Sequence, residues 1–473
     1  MDKDYEIVIG VEVHVELKTK TKIFCACTTE FGGEPNTHCC PVCMGLPGTL
    51  PVLNEEVVNY AIQAGLATNC EIARNSKQDR KHYFYPDLPT SYQISQDELP
   101  ICRNGHLDIE VEGNKKTVGI TRIHIEEDAG KLIHRDDLGT LVDYNRSGVP
   151  LIEIVSEPDL RSAEETRAFL QKLRAIMLYI GVSDCKMNEG SFRCDLNLSV
   201  RKKGGKEYGT RTEMKNLNSF QSVMRAVEYE AQRQIKEIKD GGTIIQETRR
   251  FDQNSGKTFS MRTKEDAQDY RYLPDADLMP IVIDEERIEK LKKTLPDLPD
   301  VRKKMYMEKY GLNSYDAEQL ISSIDIADYF EEAVKLCKNP KTLANIMITE
   351  VFRIVDTDDF TAPFSYKYLA ELVDLLEDGT INSSTSKKIL EEMIKGDKPP
   401  SVIVKEKGLE QINDIETLLP IIQEAIKSSE KAVKEYKGGK EKALQAIIGK
   451  IMGKTRGKAN PETTIKLLKE NLK

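Results

Sequence analysis

The sequence predicts an α+β protein: a β-rich N-terminal domain, then an all-α helical domain, then a small helical tail. Three observations carry this. Strict apolar–polar alternation recurs through the N-terminal half, the mark of half-buried strands. Around Leu295-Pro296-Asp297-Leu298-Pro299-Asp300 two prolines mark a boundary, and the apolar residues beyond it follow a helical period. Residues 421–473 carry thirteen Lys/Arg against six Asp/Glu, whereas residues 1–420 carry 56 against 72, a basic tail on an acidic body. The expected division is 1–294, 295–406 and 407–473. At 473 residues the chain is too long for a single core.

The first strand is the clearest. In the stretch from Ile7 to Leu17, residues Ile9, Val11, Val13, Val15 and Leu17 fall on one face. Gly10, Glu12, His14 and Glu16 fall on the other. That row of carboxylate, imidazole and carboxylate can hold a hard divalent cation or position a proton donor. It can equally be the solvated face of an edge strand. Next come Cys25 and Cys27, then Cys40 and Cys43. A CxC followed by a CxxC is good spacing for a tetrahedral structural zinc site, with Cys39 and His38 as spare candidates. Four thiolates close the coordination shell, so the expected job is to staple a loop.

Residues 54–68 read as a helix capped by Asn54, with Glu55 and Glu56 in its first turn. Asp79-Arg80-Lys81-His82-Tyr83-Phe84-Tyr85-Pro86-Asp87 crowds charges and aromatics together, as a site wall, an interface between subunits or a packed loop would. A hairpin turn is expected at Glu112-Gly113-Asn114-Lys115. The strand after it brings Arg122, His124 and Glu126 to one face and ends in three adjacent acids, Glu126, Glu127 and Asp128. Leu141 to Asp159 reads as two strands around an Arg-Ser-Gly turn. Ser162 to Glu165 is a capping box opening a helix that Gly181 ends. From Phe192 to Val200 the pattern alternates again, with Arg193, Asp195, Asn197 and Ser199 on the polar side. A segment holding Arg211, Glu213 and Lys215 precedes a long amphipathic helix, Ser219 to Lys239. Glu247–Asp252 and Gly256–Thr258 look like a hairpin, and Asp269 to Asp277 like an extended loop rich in acids and aromatics. In the tail, Asn460 caps a last helix with Pro461 in its first turn.

Several classes are excluded. No apolar run is long enough to cross a membrane. The charged stretch from Met1 to Glu6 is unlike a secretory signal, and ten cysteines in such a chain suggest reduced thiols and the cytoplasm. All six histidines fall within the first 134 residues, which places metal or acid–base chemistry there. Gly449 to Thr455 imitates a phosphate-binding loop but is one residue short and follows a helix. The basic tail suits a polyanion such as RNA, or is a solvated lysine-rich face.

Four stretches together resemble a known family: Gly10 to Leu17, Asp79 to Asp87, Leu141 to Asp159, and Asp269-Tyr270-Arg271-Tyr272. They are similar to the GatB family, the B subunit of the bacterial aspartyl/glutamyl-tRNA(Asn/Gln) amidotransferases, and the likeness covers essentially the whole chain. The resemblance implies a ligase with a glutamine-synthetase-like cradle, a helical domain and a YqeY-like tail. It implies that ATP and Mg²⁺ are used to phosphorylate the side-chain carboxylate of Glu-tRNA(Gln), Asp-tRNA(Asn) or both, and that ammonia then displaces phosphate. The ammonia would come from an amidase subunit, with a small third subunit making up the heterotrimer. Carried onto this chain, Glu12, His14, Glu127, Asp195 and Glu213 would hold Mg²⁺, with Glu126 adjacent. By strict alternation Glu126, not Glu127, shares the polar face, so a bulge or a strand end at Glu126 is expected if Glu127 is a ligand. Lys81 and His82 would line the ammonia path, and Arg122, Arg193 and Lys215 would contact phosphate. Lys450, Lys454, Arg456 and Lys458 would grip the tRNA. The four-thiol zinc occurs in some members only. A rival expectation is a non-catalytic tRNA-binding scaffold of the same complex.

Overall fold

The computed structural model describes residues 3–263, 270–357, 360–396, 398–412, 414–455 and 457–472. The chain is α+β and divides into two compact units, Met1–Pro299 and Asp300–Lys473.

The first unit is built on a nine-stranded sheet. Its strands begin with β1 (Tyr5–Glu16), then helix α1 (Glu55–Ala67) and the short β2 (Glu71–Ile72). Two small elements, β3 (Asn75–Ser76) and β4 (Asp79–His82), lead to β5 (Tyr92–Ser95). The long pair β6 (Cys102–Val111) and β7 (Asn114–Glu127) turns through Glu112 and Gly113, both at positive φ (51° and 80°), the backbone that a tight two-residue hairpin demands. A separate hairpin, β8 (Lys131–Arg135) with β9 (Gly139–Asp143), precedes β10 (Pro150–Ser156) and helix α2 (Ala163–Tyr179). Then come β11 (Phe192–Lys202), β12 (Thr212–Lys215), helix α3 (Phe220–Lys239), β13 (Glu247–Asp252) and β14 (Lys257–Thr263). Two further short strands, β15 (Leu273–Pro274) and β16 (Ile281–Val282), and helix α4 (Glu285–Thr294) finish the unit.

The main sheet runs β14-β13-β12-β11-β1-β10-β7-β6-β2. β1 is therefore its central strand and not an edge, which settles one of the alternatives the alternation left open. It is antiparallel to both neighbours, with Glu12 opposite Asp195 on β11 and His14 opposite Glu153 on β10. Val11, Val13, Val15, Ile154, Leu196 and Leu198 are at most 1% exposed, and they share one core with apolar residues of α1, α2 and α3. Burying each such side chain contributes roughly 1.5–3 kcal/mol. The helices cover one face only, so the acids and bases at the alternate positions line the other.

The helix starts follow their caps. Asn54 accepts from the amide of Glu56, Ser162 from Glu165 and Ser219 from Ser222. Glu165 turns back to the amide of Arg161, one residue before the cap, and also meets Lys116. The two strands expected between Leu141 and Asp159 are both present, but they do not pair with each other. β9 pairs with β8, whereas β10 lies between β1 and β7. The amide of Gly148 donates to the carbonyl of Asp128, and the amide of Asp128 to Val149. These bonds carry the β7–β10 ladder past the turn and leave β9 outside it.

The second unit is helical apart from an isolated bridge between Ile412 and Ala459. Helices Ile415–Lys427, Leu444–Lys454 and Pro461–Leu472 bury Leu418, Ile422, Ile447, Ile451 and Leu468 together. Asn460 accepts from the amide of Thr463, as its capping role requires. Gly449–Lys454 lies inside a helix, which removes any phosphate-loop geometry. Among the described residues no helix is long and apolar enough to cross a membrane.

Candidate functional site

Three neighbouring strands set one polar row. In the registers of β1, β10 and β7, His14 stands opposite Glu153, and Glu153 opposite His124. Glu126, two residues on from His124, points the same way. His14 Nε2 lies 3.4 Å from Glu126 Oε1 and 3.6 Å from Glu153 Oε2. His124 Nε2 lies 3.6 Å from Glu126 Oε2 and 3.3 Å from Glu153 Oε2. One donor atom each from His14, Glu126 and Glu153 falls within 4.8 Å of the others. Two carboxylates and an imidazole converging on one point fit a divalent cation that completes its shell with water or substrate oxygens.

The electrostatics explain how two acids sit so close. His124 is 3% exposed, and burial alone would discharge it. Glu153 and Glu126 outweigh that and raise its imidazole to about 9. In turn, burial works against Glu153, but His124, His14 and Lys81 hold its carboxyl well below the ordinary range. His124 thus supplies the counter-charge to the pair.

Beside this triad lies a second acidic group. Glu12 accepts from Asn197 Nδ2 at 2.8 Å, and burial together with Glu153 pushes its carboxyl up. Lys215 Nζ is 2.7 Å from Asp195 and 3.1 Å from Glu213, and Thr248 donates to Glu213 at 2.7 Å. Burial opposes the Lys215 charge, and those two carboxylates more than restore it. Five adjacent strands, β12, β11, β1, β10 and β7, therefore bring Glu213, Asp195, Glu12, His14, Glu153 and Glu126 to one face.

Glu127 is not among them. The β7–β10 ladder stays in register from Arg122 to Glu127, and its shift falls at Val155/Ser156, so no bulge reorients the strand end at Glu126. Glu127 accepts from the amide of Ile94 at 2.8 Å and lines a pocket with Lys22, Cys25, Cys43 and Tyr92. Burial pushes its carboxyl up to about 8. Glu153 is the residue that takes its place at the triad. Its signal was present, as the single acid in the run Leu-Ile-Glu-Ile-Val, but only the pairing with His14 shows what it faces.

The remaining candidates are distributed as follows. Lys81 lies 4.8 Å from the ring centre of Tyr270 and acts on Glu153. His82 Nδ1 is 3.1 Å from the carbonyl of Arg271. Arg193 donates to Asp128 at 2.9 Å, where Arg146 also approaches to 3.4 Å. Arg122 lies on β7, close enough to Tyr272 to act on its hydroxyl. In the tail, Lys450 donates to the carbonyl of Ser428, Lys458 to that of Gly408, and Lys454 pairs with Glu424. Arg456 lies outside the described residues, as does Asp269 of the aromatic loop.

Cys25, Cys27, Cys40 and Cys43 form the second group that can hold a metal. The amide of Cys40 points at Cys43 Sγ at 3.1 Å, the tight knuckle that the CxxC spacing predicts. Cys39 and His38 are turned to Asn145, whose Oδ1 accepts from the His38 amide at 2.8 Å and lies 3.8 Å from Cys39 Sγ. Neither belongs to the group of four, although Cys39 still interacts with Cys43.

Two of these shifts give the divalent-free chain a pH dependence. Glu127 binds its proton more tightly folded (about 8) than at its ordinary 4.5, so the stability it contributes is present at low pH and lost as pH rises through about 8. His124 acts in the same sense, between its ordinary 6.5 and about 9. The melting temperature should therefore fall between pH 6 and pH 9, and Glu127→Gln should flatten part of that fall. Scanning calorimetry checks it; a flat or rising wild-type profile over that window would contradict both assignments.

Comparison with known proteins gives two family matches. Residues 7–289 match the model of the GatB/GatE catalytic domain, and residues 328–472 that of the GatB domain. Similar full-length relatives are three proteins named as the B subunit of aspartyl/glutamyl-tRNA(Asn/Gln) amidotransferase. That of Caldicellulosiruptor saccharolyticus is 58% identical, that of Carboxydothermus hydrogenoformans 55% and that of Thermoanaerobacter pseudethanolicus 54%, each alignment covering 99% of both chains.

Proposed function

The chain belongs to the GatB/GatE family, and from that premise we propose that it is the ATP-using B subunit of a tRNA-dependent amidotransferase. Its reaction converts Glu-tRNA(Gln), Asp-tRNA(Asn) or both into the amide form. The observation that carries this is the cluster of His14, Glu126 and Glu153 with Glu12, Asp195 and Glu213 beside it, on one polar face of the sheet. A carboxylate is a poor electrophile, and phosphorylation gives it a leaving group. Held at that cluster, Mg²⁺ would supply positive charge to offset that on the transferring phosphoryl group. His14, Glu126 and Glu153 would hold it, and Glu12, Asp195 and Glu213 offer room for a second ion.

The other residues act by charge and position. Lys215, Arg122 and Arg193 supply positive charge on the same face for phosphate oxygens. Lys215 is drawn by Asp195 and Glu213 and is therefore held in place before substrate arrives. Lys81, beside Glu153, and His82 are proposed to line the approach of ammonia, which a partner amidase supplies and which an acyl phosphate must meet before water does. A small third subunit makes up the heterotrimer, in the cytoplasm. The domains are proposed to divide at 1–294, 295–406 and 407–473. The last, with Lys450, Lys454, Arg456 and Lys458, grips the tRNA backbone. The four thiols hold a structural zinc.

The test uses the chain co-purified with its amidase and small partner subunits, Mg²⁺, labelled ATP and Glu-tRNA(Gln), with no ammonia donor. ADP release should require the charged tRNA, and Glu12→Ala should lower it about 100-fold. Turnover unchanged by Glu12→Ala would leave the chain as a tRNA-holding scaffold.

A further inference from the structure

Lys22 is 0% exposed. Its ammonium reaches two partners, the carbonyl of Tyr144 at 3.2 Å and Cys43 Sγ at 3.7 Å. Among the described residues no carboxylate forms an ion pair with it. Its place is fixed by the chain around it: its amide donates to Cys27, and the next amide, of Ile23, donates to Gly148. A lysine head taken wholly out of water needs an anion, because a neutral carbonyl does not repay the loss of hydration. The four cysteines become that anion when they carry a metal. A dication held by four thiolates keeps a net charge of two negatives, and such a centre depends on donors to its sulfurs.

We propose that Lys22 is the built-in counter-charge of the four-cysteine centre, stabilising the metal-loaded form by offsetting its net negative charge at the Cys43 sulfur. The inference rests on the metal reading of those four thiols. It gives the buried lysine its missing anion, and it makes the centre slow to react with electrophiles and oxidants, since a thiolate that accepts from a cation is a weaker nucleophile. The same side chain ties the Cys40–Cys43 knuckle to the turn at Tyr144.

The experiment takes the full-length chain purified with zinc. Zinc content is measured first. The rate of zinc transfer to a chromogenic chelator is then followed as N-ethylmaleimide is added. Lys22→Gln retains an amide donor, one bond shorter, and removes the charge; it should release zinc about tenfold faster than wild type. Lys22→Arg should stay within about twofold of wild type. Mapping the alkylated positions in the wild-type chain needs no variant and should find Cys43 the last of the four to react. A folded Lys22→Gln with the wild-type rate overturns the proposal, and so does early alkylation of Cys43. A wild-type chain that binds no stoichiometric zinc would instead sink the metal reading itself.

Discussion

Glu153→Gln should abolish tRNA-dependent ADP release, by about 1,000-fold or more, while the chain still folds and still binds tRNA. Gln keeps the size of the side chain and removes the negative charge that a dication needs. It also strips His124 of the nearer of its two carboxylates, at 3.3 Å. Removing one preorganised group that stabilises developing charge typically costs about 10²–10³-fold, and in the proposed site Glu153 would serve both the metal and its neighbour's protonation. Glu164→Gln, an exposed acid in the first turn of α2, is the control for net charge. The assay is single-turnover ADP formation on the assembled complex at saturating ATP. A Glu153→Gln complex within tenfold of wild type would remove the triad from the chemistry, whatever binds there.

Glu230→Ala should destabilise the first unit by about 3–5 kcal/mol, the usual cost of leaving buried charges without their partner. Glu230 is 0% exposed and sits on α3. It accepts from Thr212 on β12 at 2.9 Å, from Thr258 on β14 at 2.8 Å and from both sides of the Arg233 guanidinium, at 2.6 and 3.0 Å. Arg249 on β13 approaches to 3.4 Å. Burial would raise this carboxyl, but Arg233 and the hydroxyls keep it below the ordinary range. One side chain therefore seats three strands on the helix behind them, including the strand that bears Glu213 and Lys215. Urea unfolding of the purified chain measures the cost, and a loss under about 1 kcal/mol would mean that water replaces the carboxylate.

Much of the architecture was legible from local pattern. Alternation located β1 and β11 and separated the face of Glu12 and His14 from the face of Val11 and Val13. The same rule placed Glu126, not Glu127, on the polar side. The likeness to the family pointed to Glu127 instead; the unbroken ladder at the end of β7 turns that side chain to the amide of Ile94, away from Glu126. What local pattern does not carry is pairing. Nothing near His14 announces that Glu153 will stand opposite it, about 140 residues away in the chain. Nor does the run from Leu141 to Asp159 reveal that its two halves join different sheets. Glu230 reads as one more charge on an amphipathic helix until Thr212, Thr258 and Arg249 are brought against it. Buried charge networks are assembled by tertiary contact, and their members look like surface residues until then.

The order of the sheet also governs when the protein becomes itself. β1 leaves the ribosome long before either strand that flanks it. At about 5–20 residues per second, the wait from residue 16 to residue 192 lasts roughly 10–35 s. For that interval the edge that β11 covers stays open, and until residue 150 so does the edge that β10 covers, which is the condition that invites chaperones or aggregation. The acidic face is likewise incomplete until β11 and β12 arrive. A nascent chain that ends before residue 192 already carries His14, Glu126 and Glu153 but lacks Asp195 and Glu213, so that half of the acidic face is added last.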